Sequence, residues 1–295
     1  MPESPQKRPD KPLTPRYAWQ PFTPRGVAAF AHASLTRLVL VQLIVAAVVA
    51  ATLIWCLCIA WIPVITEAIQ RLPSNGFVRR GHLNFEGESP MRLAENSRLG
   101  LVVDLAATSS AGRVADLEIA FEKDRVVLHG PLGDWWQLYD PHYLISFNRS
   151  ELEPAWGAWR RPILFGIAIA TITSLFIMWW SLALIYLPLV KLIAFFADRT
   201  VNWRSAWRMT AASLLPGACI VALALALYGF GAIDFFRFGL LYLLHVLAGL
   251  AFAVTSPLFL PKLPRAPLGK NPFAAPAQST EPGETTNPFG GPDRS

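Results

Sequence analysis

Residues 72–90 read LPSNGFVRRGHLNFEGESP, with three glycines, two prolines, an Arg pair and apolar residues at alternate positions. The stretch follows directly on an apolar segment long enough to cross a bilayer, so it is either a loop between membrane helices or the opening of a folded domain. Period-two alternation over Phe77 to Phe85, bounded by Gly and Pro, predicts short strands rather than a bare connector. Ser74-Asn75-Gly76 then reads as a turn, and Gly81 as a bulge or tight bend. Arg79 and Arg80 read as exposed charges facing lipid headgroups.

Outward from this stretch, the 295-residue chain is 53 % hydrophobic and only 16 % charged. That composition excludes an ordinary soluble domain. The net charge of +6 does not imply nucleic acid, because the basic residues flank apolar runs instead of forming one stripe. Four segments approach the ~20 residues that span ~30 Å of hydrocarbon. They are Leu38 to Ile65, Pro162 to Val190, Met209 to Phe230 and Phe235 to Phe259. Only Gly231 to Asp234 separates the last two, which predicts a tight antiparallel hairpin with Asp234 as N-cap. Pro216 predicts a kink near Leu215. No cleavable signal peptide is expected, and the first apolar run reads as a retained signal anchor.

Lys and Arg before the first segment, between the second and third, and after the fourth can share one side only if there are four crossings. Both termini are therefore expected in the cytoplasm and residues 67–161 outside. Trp55, Trp61, Trp156 and Trp159 would mark the outer interface, Trp203 and Trp207 the inner one. The fold class expected is an α-helical integral membrane protein, with four transmembrane helices and a small mainly antiparallel β domain between the first two.

Residues 1–23 read as a disordered cytoplasmic arm, and 24–66 as an interfacial helix over Gly26 to Arg37 followed by the first crossing. Residues 67–161 form the β-rich domain, 162–259 the other three helices, and 260–295 a disordered Pro-rich cytoplasmic tail. Strands are predicted at Phe77 to Phe85, Leu99 to Leu105, Leu117 to Phe121, Val126 to His129 and Tyr143 to Phe147, with a hairpin turn at Glu122 to Arg125. Pro63 to Leu72 should continue the first helix outward.

No nucleotide, nucleophile-elbow, zinc-protease or paired-cysteine motif occurs, so no catalytic, cofactor or metal residue is assigned and no enzyme is expected. Cys56, Cys58 and Cys219 read as small buried hydrophobes. The nearest acid and histidine cluster is Asp134, Asp140 and His142, which His82, Asp104 or His129 could join, and it reads as solvated loop residues. Trp135, Trp136 and Tyr139 should pack the β domain or rest it on headgroups. Gln42 and His245 are the polar side chains expected at membrane depth, where such groups are costly, with His245 neutral and bonded to a neighbouring helix. The tail repeats Asn271-Pro272-Phe273 and Asn287-Pro288-Phe289, which suit capture of a turn by a small helical domain.

The order of parts, with Leu72-Pro73, Gly76, Gly81, Leu83 and Asp104, resembles a family of uncharacterised bacterial multi-spanning membrane proteins. Some members are labelled maltodextrin-utilisation proteins, and the set is loosely similar to the Yip-type family. The resemblance implies a bacterial inner-membrane location and transfers no functional residue. The expected role is non-enzymatic scaffolding or membrane organisation, with the bilayer and proteins as partners; a homo-oligomer is compatible with it. The alternative is an accessory or pore-forming subunit of a solute transporter.

Overall fold

The structure, a computed structural model, describes residues 19–107 and 115–262. The Asn-Pro-Phe motifs lie outside the described residues. Four helices among those described are long and apolar enough to cross a membrane by length and composition: Leu35–Arg71, Arg149–Phe196, Trp203–Gly229 and Phe235–Phe259. The first comprises α2 (Leu35–Ala60) and α3 (Ile62–Arg71), preceded by the short α1 (Pro24–Ala29). α4 (Arg149–Phe196) is unbroken, and the third splits into α5 (Trp203–Ser213) and α6 (Leu215–Gly229). α7 (Phe235–Thr255) completes the set.

Local chemistry sets most of these boundaries. Thr23 caps α1, its Oγ1 accepting from Gly26 N at 3.0 Å, with Pro24 in the first turn. Asp234 caps α7, accepting from Arg237 N at 2.7 Å. α2 gives way to α3 at Trp61, and α5 to α6 at Leu214, each two residues before a proline that lacks the N–H the ladder needs. α4 carries Pro154, Pro162 and Pro188 and still runs 48 residues, about 72 Å at 1.5 Å per residue. It begins 13 residues before Pro162, the expected start of the second span.

α6 is the hub of the bundle and packs against both α2 and α7. The apolar window of its span is 67 % buried, against 6 % for α4, so most of the α4 surface faces outward. Close approach depends on small residues: a Cβ on Gly217 would stand 2.4 Å from the His245 carbonyl oxygen of α7. Of the cysteines, Cys56 is buried, Cys219 half-buried and Cys58 exposed, which departs from the uniform burial expected.

The segment expected to lie as one interfacial helix is divided and enclosed. α1 passes into a 3-10 turn at Phe30–His32, and the chain extends through Ala33 before Ser34 caps α2. Val27, Ala28 and Phe30 are wholly buried among α5, α7 and the turn Ser256–Phe259, whereas Leu35 is exposed.

Between α3 and α4 the described residues form eight strands. β1 (Gly76–Arg79), β2 (His82–Phe85) and β8 (Ile145–Ser146) form an antiparallel sheet in the order β2-β1-β8. β3 (Met91–Glu95), β4 (Leu99–Val103), β5 (Leu117–Phe121), β6 (Arg125–Gly130) and β7 (Gly133–Leu138) form the second in sequence order. All pairs are antiparallel except β4 with β5. The opening stretch makes a two-residue hairpin: Arg79 pairs with His82, and Arg80 and Gly81 take φ of 51° and 77°. Positive φ at both positions matches the turn whose twist suits a hairpin, so Gly81 is a tight bend. Gly76 belongs to β1 rather than to the expected turn, and a Cβ there would sit 2.4 Å from the Phe147 carbonyl oxygen. β3 and β7 are strands additional to the expected set.

The domain core gathers Val78 and Leu83 of the first sheet with Leu93, Leu99, Leu101 and Val103 of the second. α3 contributes Val64 and Ala68, one turn apart on its inner face, followed by Leu72. The helix that leaves the apolar bundle therefore becomes part of the β domain.

Candidate functional site

Three neighbourhoods carry the chemistry: the joint between β domain and helices, the exposed edge of the larger sheet, and the opposite, basic end of the bundle. At the joint, Asn96 caps the β3–β4 hairpin. Its Oδ1 accepts from Arg98 N at 2.8 Å and Leu99 N at 2.9 Å, while its Nδ2 donates to Ala60 O at 2.6 Å. Ala60 ends α2, so one amide ties the hairpin to the helix terminus. Beside it Arg98, only 7 % exposed, pairs with Asp116 at 2.8 Å and lies 4.2 Å over the Tyr228 ring of α6. The side chain thus bridges the sheet and the hub helix. Trp156 Nε1 of α4 adds a bond to Thr66 Oγ1 of α3 at 3.0 Å.

Among the described residues β7 pairs with β6 along one side only, and all six of its residues are exposed. Trp135 is 61 % and Trp136 55 % exposed. Successive side chains in a strand point to opposite faces, so both faces of this edge are open. The two tryptophans do not pack the domain, one of the two roles expected for them. Tyr139, just past the strand, does: its Oη donates to Glu122 O at 3.2 Å. Burial, then the nearby Glu122 and Asp124 charges, push its phenol above the ordinary range.

The acid and histidine residues resolve into separate local pairs. Asp134 meets His129 at 2.9 Å across the β6–β7 register, and Asp140 meets His142 at 2.8 Å within one turn. The His142 backbone N–H, then its ring, holds the Asp140 carboxyl below the usual range. Asp104 is buried and accepts from Ala106 N at 3.3 Å. Among the described residues no three His, Cys, Asp or Glu side chains converge as a metal site.

Gln42 and His245 are both buried, in different parts of the bundle. Gln42 Oε1 accepts from Trp180 Nε1 of α4 at 3.2 Å, leaving Nε2 without a partner among the described residues. Unsatisfied buried donors are few in proteins, which marks this position. His245 Nδ1 bonds to the Tyr242 carbonyl one turn back in α7, rather than to a neighbouring helix as expected, and the Tyr242 ring lies 4.6 Å away. Trp180 stacks edge-on against Trp207 of α5 at 5.8 Å, linking Gln42 to the basic end.

There the cations rest on carbonyls. Arg208 donates to Ala33 O at 2.5 Å, Ala31 O at 3.1 Å and Ser205 Oγ at 3.2 Å, which clasps the chain before α2 onto α5. Lys191 donates to Val201 O at 2.7 Å, and Arg199 to Leu260 O. A groove of about 610 Å³ opens beside them, lined by Leu35 of α2, Leu184 and Leu187 of α4, and Asn202 with Trp203, Arg204, Trp207 and Arg208 of α5. Sequence reasoning used these arginines only to orient the chain. The run WRSAWR, with Trp203/Trp207 and Arg204/Arg208 each four apart, already places two Trp and two Arg on adjoining helix faces. Asn96, Arg98 and Asp116 had no such signal.

Comparison with protein-family models, curated proteins and solved structures finds no match for the chain.

Proposed function

We propose that the chain is a non-enzymatic, four-crossing protein of a bacterial inner membrane that organises partner proteins by holding a β domain rigidly outside. Charge supports this placement: Arg25, Arg37, Lys191, Arg204, Arg208 and Lys262 cluster where α2 begins and α4 and α7 end, as expected of a cytoplasmic side. Helix length supports it as well, since α2–α3 and α4 exceed the ~30 Å of hydrocarbon and continue into the domain. The resemblance to uncharacterised bacterial multi-spanning proteins belongs to the same proposal.

The observation that carries the scaffold role is the joint. Asn96 and Arg98 fasten the β3–β4 hairpin to α2 and α6, so the domain cannot swing on a flexible linker, while β7 remains open on its far side. A rigid mount and an exposed aromatic edge are what presentation to a partner requires. The test is cross-linking and co-purification from native membranes with the full chain, the double variant Trp135→Ser/Trp136→Ser, and a chain ending at Pro261. The hairpin variant should lose an outside partner and the shortened chain a cytoplasmic one. Recovery of the same proteins in all three would end the scaffold reading.

A further inference from the structure

We propose that the groove between α2, α4 and α5 at the basic end holds one anionic phospholipid, an acyl chain lying along Leu35, Leu184 and Leu187 with the phosphate against Arg204 and Arg208. The inference rests on the membrane-crossing reading and adds a ligand to it.

The wall and the rim of the groove differ in chemistry. Its wall is leucine and tryptophan, and its polar side chains are confined to Asn202, Arg204 and Arg208. Leu184 and Trp203 are 60 % and 61 % exposed, so the groove opens sideways onto the outward surface of α4. In a bilayer that surface meets acyl chains, and an apolar trough continuous with it is filled by one. Tryptophans at the rim suit the depth at which headgroups begin.

Charge selects the headgroup. Arg204 makes no ion pair or hydrogen bond among the described residues. Among the described residues Arg208 meets only neutral acceptors, and its Nε is buried with no hydrogen-bond partner among them. Asp198 is the sole acidic residue between Glu153 and Asp234 in the sequence. Two guanidiniums beside an apolar trough, with no carboxylate paired to them among the described residues, are complementary to a phosphate joined to a hydrocarbon chain. A free anion would leave the leucine wall unused, and a zwitterionic lipid would bring no net charge.

The test is native mass spectrometry of the full chain in mild detergent, titrated in parallel with phosphatidylglycerol, phosphatidylcholine of the same acyl chains, and inorganic phosphate. One phosphatidylglycerol should be retained in preference to phosphatidylcholine. Arg204→Gln should lower phosphatidylglycerol retention about fivefold, the effect of one basic residue near an anionic surface, and leave phosphatidylcholine unchanged. Leu184→Trp, which fills the trough and keeps both arginines, should lower retention of both lipids. Arg79→Gln in the β domain should change neither. Both groove positions are exposed, so circular dichroism should show the fold intact.

Equal retention of the two lipids, or groove variants that behave as the parent, would overturn the assignment. Phosphate binding that survives Leu184→Trp would overturn it in favour of a free-anion site. Washing the membranes with alkaline carbonate separates two failures. A protein stripped off overturns the crossing reading and the lipid site together; a protein retained but indifferent to lipid charge overturns the site alone.

Discussion

Tyr139 shows how a single side chain can register the state of the β domain. Its hydroxyl donates to Glu122 O at 3.2 Å, and burial together with two nearby carboxylates disfavours the phenolate. The folded state therefore holds the phenolic proton more tightly than the unfolded chain does, whose tyrosine titrates near ~10. The resulting stabilisation is complete below that pH and is lost as pH rises through the folded-state value. Tyr139→Phe should cost about 1 kcal/mol at neutral pH through the lost hydrogen bond and flatten the alkaline loss of stability. Denaturant midpoints of parent and variant across the alkaline range provide the measurement, and equal slopes would contradict it. None of this was legible locally, because Glu122 lies 17 residues away and meets the phenol only through pairing of the β5–β6 turn with the end of β7.

At the scale of elements, glycine and proline positions decide how the helices meet. A Cβ at Gly217 would lie 2.4 Å from the His245 carbonyl, whereas one at Gly157 of α4 would meet nothing within 4 Å. Gly217→Ala should thus force α6 and α7 apart and cost about 1–3 kcal/mol. Gly157→Ala should be neutral or stabilising by up to ~1 kcal/mol, since alanine is the better helix former. Thermal unfolding in detergent distinguishes them, and equal effects would show that the α6–α7 contact is not backbone-limited. The β7 edge makes the opposite case. Trp135→Ser and Trp136→Ser should each stay within about 0.5 kcal/mol of the parent, because exposed side chains contribute little to stability. A larger loss would mean that the edge is covered within the folded chain. Pro216 and the Asp234 cap marked their helix boundaries in the sequence, whereas the break at Trp61 before Pro63 falls within a stretch that the sequence predicts as one continuous helix. β7 escaped notice because GDWWQL shows no clean alternation, and a strand open on both faces needs none.

For the whole molecule, the central feature is that the β domain is built onto its helices by α3 and by Arg98. Arg98→Ala would leave Asp116 partly buried without its cation and strip the contact from Tyr228. A cost of about 2–3 kcal/mol is expected, with partial recovery in Arg98→Lys. Limited proteolysis at the domain boundary should speed up in the alanine variant. Unchanged cleavage would indicate that α3 alone fixes the domain.

The sequence by itself determined the four long apolar helices, the β-rich insertion after the first of them and several helix ends. Those properties are local: run length, periodicity and capping are written within a few turns of chain. Only the tertiary structure decided how the parts are joined and where a ligand could rest. Asn96 reaches Ala60 across 36 residues and Arg208 reaches Ala31 across 177, and such bonds leave no periodic trace. A polar side chain becomes a clasp, or one side of a groove, only when the packed core brings a distant carbonyl or an apolar wall within reach.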